Sequence, residues 1–163
     1  MTLDLTDTLL LVAALGTGMI AGTFYAFSSF IMRALGRLTG REGLVAMQAI
    51  NVAAVTPLFM LGFIGTATLS AAALVVAIAQ RDAAGSPFAI AGAALYLVGS
   101  FGLTAARNVP LNNALMTLDP GNPASIAQWN SYLVTWTAWN HVRTVASLAA
   151  TLAFICALIA RAA

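Results

Sequence analysis

Four long apolar stretches constrain this chain more than any other feature. They run over residues 9–32, 52–79, 88–106 and 142–160, and each is close to or beyond the roughly 20 residues a helix needs to cross bilayer hydrocarbon. A segment in lipid must satisfy its own backbone N–H and C=O groups, which a helix does internally. The rest of the composition agrees. Hydrophobic residues make up 61% of the chain and charged residues 7%, against about a quarter charged in soluble domains. Seven cations and five acids are too few to cover a water-facing surface. The expected fold class is all-α: one polytopic four-helix transmembrane bundle spanning residues 1–163, in a cell membrane.

The seven cations are all arginines, which together with the alanine load suggests a high-GC bacterial coding sequence. Arg33, Arg37, Arg41, Arg107 and Arg143 flank the first and third connections, whereas Arg81 and Arg161 lie on the other side with Asp4, Asp7 and Asp82. By the positive-inside rule this five-to-two asymmetry predicts both termini outside. Asp4 and Asp7 stand where a signal peptide carries Lys or Arg, so the first span is expected to remain as a helix. The net charge of +2 carries no clustered basic surface for nucleic acid. One cysteine, Cys156, and one histidine, His141, leave no disulfide framework, CxxC pair or bis-histidine haem, and neither a metal nor a cofactor is expected. Cys156 reads as an apolar filler of the last span.

Breakers set the connections. Pro57 within the second stretch predicts a kink that frees the Ala53 carbonyl. Pro110 predicts the end of the third span, followed by a short cytoplasmic helical segment over residues 111–118 that Asp119-Pro120-Gly121-Asn122-Pro123 closes. Nothing then breaks a helix to the C-terminus, so residues 124–141 project from the membrane or lie on its surface. Gly18 and Gly22, with Tyr25 and Ser29 on the same face, form a small-xxx-small step read as close helix packing.

The polar side chains gather at one level. Trp129, Tyr132, Trp136, Asn140 and Arg143 share one helical face, with Trp139 at its edge and His141 about a quarter turn from Asn140. Gln48, Asn51, Asn108 and Asn112 lie at the same boundary. One reading is an interfacial belt of Trp, Tyr and snorkelling Arg. The other is an inward-facing site, because polar residues within membrane helices usually turn to the protein interior. Both remain open from the residues alone.

The chain resembles the DUF1772 family of small four-span membrane proteins, which includes the anthrone oxygenases. The likeness runs through residues 21–28, through Met47-Gln48-Ala49-Ile50-Asn51 with Pro57, and through Asn108-Val109-Pro110-Leu111-Asn112-Asn113-Ala114-Leu115. It continues in Trp129, Tyr132, Trp136 and the step Trp139-Asn140-His141-Val142-Arg143. The resemblance implies a cofactor-independent oxygenase acting on a flat lipophilic aromatic such as an anthrone. In that setting Trp136, Trp139 and Tyr25 are the expected stacking surfaces, with Asn51 and Asn108 beside them. His141 is the expected base, and Asn112, Asn140 and Arg143 the expected donors to an oxyanion. The expected partners are the lipid bilayer and a small lipophilic aromatic molecule, with homo-oligomerisation open. A non-catalytic binder of such a molecule and a structural subunit of a larger membrane complex are the rival readings.

Overall fold

The computed structural model describes residues 4–163, and these are helical nearly throughout. Helix α1 covers Leu5–Leu35 and opens on a reciprocal cap: Asp4 accepts from the Asp7 amide at 2.7 Å while Asp7 accepts from the Asp4 amide at 3.2 Å. Helix α2 covers Gly40–Ala53 and opens on the same device, built from Thr39 and Glu42. The Thr39 hydrogen bonds hold the Glu42 carboxyl below the ordinary glutamate range. Helices α3 (Pro57–Ala79), α4 (Ser86–Met116) and α5 (Pro123–Ala162) follow. With α1 they make four helices long and apolar enough to cross a membrane. At 1.5 Å per residue the 40 residues of α5 span roughly 60 Å, about twice the hydrocarbon thickness.

Pro57 and Pro110 act differently from expectation. Pro57 starts a helix rather than kinking one. It occupies the first turn of α3 behind Thr56, whose hydroxyl caps the Phe59 amide, a place where a missing N–H costs nothing. The second span therefore begins at Pro57, and Gln48 and Asn51 belong to the separate helix α2. Pro110 does not end α4. The turn over Thr104–Asn108 is widened, with the Val109 amide bonding to the Thr104 carbonyl five residues back. This wide turn moves aside the carbonyl that a proline ring would strike in a regular helix. The helical segment expected over residues 111–118 is accordingly the continuation of α4 to Met116. Wide turns also occur at Phe27–Ile31 in α1 and Leu95–Gly102 in α4.

The four spans form a closed ring in which α1 packs on α3 and α5, and α4 on the same two. At the end holding both chain termini the core is built of small residues, Ala13, Ala14, Ala73, Ala77, Ala89, Ala93 and Ala157, around Leu10 and Phe154. Small residues bring membrane helices close enough for dispersion to hold them. Arg161 closes this end, bonding Asp4 at 2.8 Å and Asp7 at 2.6 Å. Gly85 makes the nearby turn with φ +85°, and a Cβ there would lie 2.5 Å from the Ala157 carbonyl oxygen. Phe24, Phe63 and Tyr96 fill the middle. At the far end the projecting half of α5 is not stranded. Its Trp129, Tyr132 and Trp136 pack on Met32 and Leu35 of α1, Leu44 and Met47 of α2 and Leu115 of α4.

Of the expected glycine pair, Gly18 faces α5, where a Cβ would meet Thr151 at 3.6 Å, and Gly22 does not pack. Gly22 faces outward with nothing within 4 Å of a built Cβ, and Tyr25 is 59% exposed. Closer approaches between spans include Gly16, against Thr66, and Gly99, where a Cβ would lie 2.7 Å from that of Ala146. Gly99→Ala should thus lower the melting temperature in detergent, because an overpacking cost of about 1–3 kcal/mol exceeds the gain of about 1 kcal/mol in helix propensity. Gly22→Ala should be neutral or stabilising. Equal effects at the two positions would contradict this packing.

Candidate functional site

The stripe on α5 is a stacked column. The Trp129 and Tyr132 rings lie 5.7 Å apart at 20°, and Tyr132 and Trp136 lie 6.2 Å apart at 28°. The spacing 129, 132, 136, 140, 143 returns every three or four residues, which keeps one face of a helix pointing at its neighbours. Phe27 of α1 covers Trp136 at 5.5 Å. Asn112 of α4 locks the column in place: its Oδ1 accepts from the Tyr132 hydroxyl at 2.9 Å and from Trp136 Nε1 at 2.7 Å. Asn108, one turn earlier and 1% exposed, donates to the Trp136 carbonyl at 3.3 Å. Asn51, at the end of α2, approaches the Tyr132 hydroxyl.

About two turns further along α5 the column ends on a charge. Arg143 is 3% exposed, and its guanidinium carbon stands 4.1 Å from the Phe24 ring centre and 5.1 Å from that of Trp136. Its Nη1 donates to the Thr104 hydroxyl at 3.1 Å and its Nη2 to Asn140 Oδ1 at 2.7 Å. Among the described residues no carboxylate lies within salt-bridge distance of it; the ion pairs all belong to Arg161. Asn140, fully buried, donates in turn to the Phe24 carbonyl and to the Ser28 hydroxyl, both at 2.8 Å. Ser28 meets the Thr144 hydroxyl at 2.9 Å. Taking a guanidinium out of water costs several kcal/mol. Two ring faces return about 2 kcal/mol or more each when desolvated, and two neutral acceptors return part of the rest.

Three buried polar atoms at this level have no partner: Arg143 Nε, Asn108 Oδ1 and Asn51 Nδ2. Buried polar groups are nearly always satisfied. Of a guanidinium's five donors, two are engaged here, so the site presents a positive charge with unused donors beside a flat aromatic wall. That is a setting for a planar ligand carrying a negative or partly negative oxygen.

Most residues singled out in the sequence come together here: Asn51, Asn108, Asn112, Trp136, Asn140 and Arg143. Three others stand apart. His141 points outward from α5 on the exposed face, as its quarter-turn offset from Asn140 implies. Trp139 is half-buried, with Arg107 stacked 5.0 Å from its ring centre. Tyr25 faces outward. The α1 contributions are instead Phe24, Phe27 and Ser28, and α4 adds Thr104. Ser29, expected on the inner face, bonds only the carbonyls of its own helix. Ser29 stays on the face of Gly22 and Tyr25, which already point outward before the wide turn over Phe27–Ile31 begins, so its position follows from how α1 is rotated about its axis. No three His, Cys, Asp or Glu side chains converge anywhere among the described residues.

The stability cost of the site should be asymmetric. Asn140→Ala removes two donations to α1 and strips a buried charge of its best acceptor, a loss of about 3 kcal/mol or more. Arg143→Met removes the charge itself and with it the desolvation cost, so it should lower the melting temperature less. If Arg143→Met proves the more damaging, the arginine is a structural strut.

Residues 58–153 match the family described as anthrone oxygenase. The match covers more than half of the chain and contains every α4 and α5 residue of the site; Phe24, Ser28 and Asn51 lie before it. No curated protein sequence and no solved structure matches the chain.

Proposed function

The chain belongs to the anthrone oxygenase family, and on that premise we propose that it oxidises a flat, lipophilic aromatic ketone of the anthrone type with molecular oxygen and without a cofactor. The observation that carries this reading is Arg143: a buried guanidinium with no carboxylate partner, held between two aromatic rings and keeping an unused donor. An anthrone fits on chemical grounds. Its methylene carbon, opposite the ketone, is acidic because deprotonation places the negative charge on the ketone oxygen and spreads it through the rings. A cation in a low-dielectric site lowers the energy of that enolate far more than water does.

The reaction balances as follows. The methylene carbon loses a proton to water and the substrate lies in the site as an enolate. The enolate passes one electron to oxygen, and the resulting radical and superoxide join to form a C–O bond. The peroxide then loses its remaining C–H proton and the distal oxygen as water, leaving a second ketone. Anthrone and oxygen thus become anthraquinone and water. Arg143 holds the enolate oxygen, Asn140 and Thr104 keep the guanidinium oriented, and the Trp136 face supports the rings. His141, on the outer face, has no part in this scheme.

Purified protein in detergent should accelerate oxygen uptake by an anthrone above the spontaneous rate. Arg143→Lys should lower kcat/KM by about 10²-fold or more, because a point charge on a flexible stem does not reproduce the fork or the stacking. His141→Ala should stay within about twofold of the parent, as expected for a residue on the outer face of α5. Full activity in Arg143→Lys would remove the basis of the proposal. The cluster also contains no side chain that serves as a base near neutral pH, which favours one alternative, a binder without turnover. That alternative is the outcome if anthraquinone binds and no oxygen is consumed.

The arginine asymmetry supports an orientation in the cell membrane with both termini outside. A reporter active only in the cytoplasm and fused after Ala163 should be silent; an active one would reverse the orientation.

A further inference from the structure

The Arg143 cluster is closed: Arg143, Asn140 and Asn108 are 3%, 0% and 1% exposed, so a ligand that reaches them must come through another part of the fold. A groove of about 240 Å³ lies between the end of α4 and the projecting half of α5, just below the volume of drug-sized pockets. Its two walls differ. On one side it is lined by Leu111, Ala114 and Leu115, an apolar face of the last turns of α4, and by Leu118 in the connection just after it. On α5 it is lined by Gln128, Ser131, Tyr132 and Thr135, giving amide and hydroxyl groups without a charge.

Tyr132 belongs to both the groove and the cluster. Its side chain lines the groove, while its hydroxyl donates inward to Asn112 Oδ1 and its ring stacks on Trp136. Asn112 Oδ1 has a second donor, Trp136 Nε1 at 2.7 Å. Swinging Tyr132 aside therefore leaves that oxygen satisfied; the motion breaks the bond to Asn112, gives up the approach to Asn51 and unstacks the ring from Trp129 and Trp136.

We propose that this groove is the binding vestibule through which a neutral, flat aromatic ketone reaches the Arg143 cluster, with Tyr132 as the gate between the two. The occupant follows from the walls. A ring system lies against the leucine face, its oxygen-bearing edge meets Gln128, Ser131 and Thr135, and the lack of charge in the lining suits the ketone before it ionises. Deeper in, the stacked column and Arg143 receive the same rings as an anion. The groove thus selects the protonated substrate and the cluster its enolate. This inference rests on the oxygenase reading above, and its test is independent of turnover.

The experiment uses full-length protein with Cys156→Ala as background. Thr135→Cys places a thiol in the groove, and Val134→Cys, at an outward position 72% exposed, serves as control. Each is labelled with a maleimide in the presence of rising anthraquinone. Protection at Thr135→Cys with none at Val134→Cys supports the vestibule, even if no oxygen uptake is ever seen. Labelling of Thr135→Cys that is indifferent to anthraquinone, or equal protection at both positions, overturns it, even if oxygenation is robust. A second variant, Ala114→Trp, fills the groove from the α4 side. Where turnover is measurable it should cut kcat/KM by about tenfold or more with kcat nearly unchanged, the signature of lost access rather than lost chemistry. An unchanged kcat/KM in a folded Ala114→Trp protein also overturns the proposal.

Discussion

Inside a bilayer a polar group has no water to turn to, and each one must find a partner within the protein or remain costly. The bundle obeys this rule along most of its length with single rungs. Thr17 meets Thr151 at 2.9 Å, Ser100 meets Ser147 at 2.9 Å, and Tyr96 donates to the Phe63 carbonyl at 3.2 Å. Each rung also ties two helices together. Among the described residues the rule is broken by Ser70 Oγ alone in α3 and by three atoms together, those of Arg143, Asn108 and Asn51, beside the aromatic column. Three of these four atoms share one level, so most of the unspent hydrogen-bonding capacity is concentrated there. Binding sites are built in this way.

The wide turns are how the backbone serves that place. In α1 the turn over Phe27–Ile31 lies next to the Phe24 carbonyl and the Ser28 hydroxyl, both of which accept from Asn140. In α4 the turn over Thr104–Asn108 lets Thr104 reach Arg143 and Asn108 reach Trp136, while Asn112 below them still holds the column. Residues four apart drift around a regular helix; one extra residue in a wide turn corrects the drift. Wide turns of this kind recur at functional sites, and here two of them flank the same arginine. The same turn accommodates Pro110, so the proline marks a change of helical register where a break was expected.

Much of the fold was legible from the chain. The apolar stretches carry enough length and too few charges for anything but membrane-crossing helices, and the uninterrupted run after Pro123 is one helix of 40 residues. The site was legible as a stripe on that helix, because Trp136, Asn140 and Arg143 repeat at helical spacing on α5. What faced the stripe was not. Ser28 rather than Ser29, Phe24 rather than Tyr25, and Gly16 and Gly99 rather than Gly22 depend on how two helices are rotated about their axes. Local sequence leaves that rotation nearly free in an apolar segment, where every face is hydrophobic.

Charge, length and breaker residues are local properties, and they determined the class of this protein, the number of spans and the helix that carries the polar face. Tertiary structure decided whether Arg143 lies against headgroups or inside the bundle. An arginine at a membrane boundary can snorkel outward or turn inward at similar cost, and the balance is tipped by partners far away in sequence. Phe24 supplies a ring face and Thr104 an acceptor, while Asn140 next to the arginine is held by Phe24 and Ser28 of α1. None of these contacts exists until α1, α4 and α5 are packed together, so the inward arginine is a property of the assembled bundle and not of any one helix.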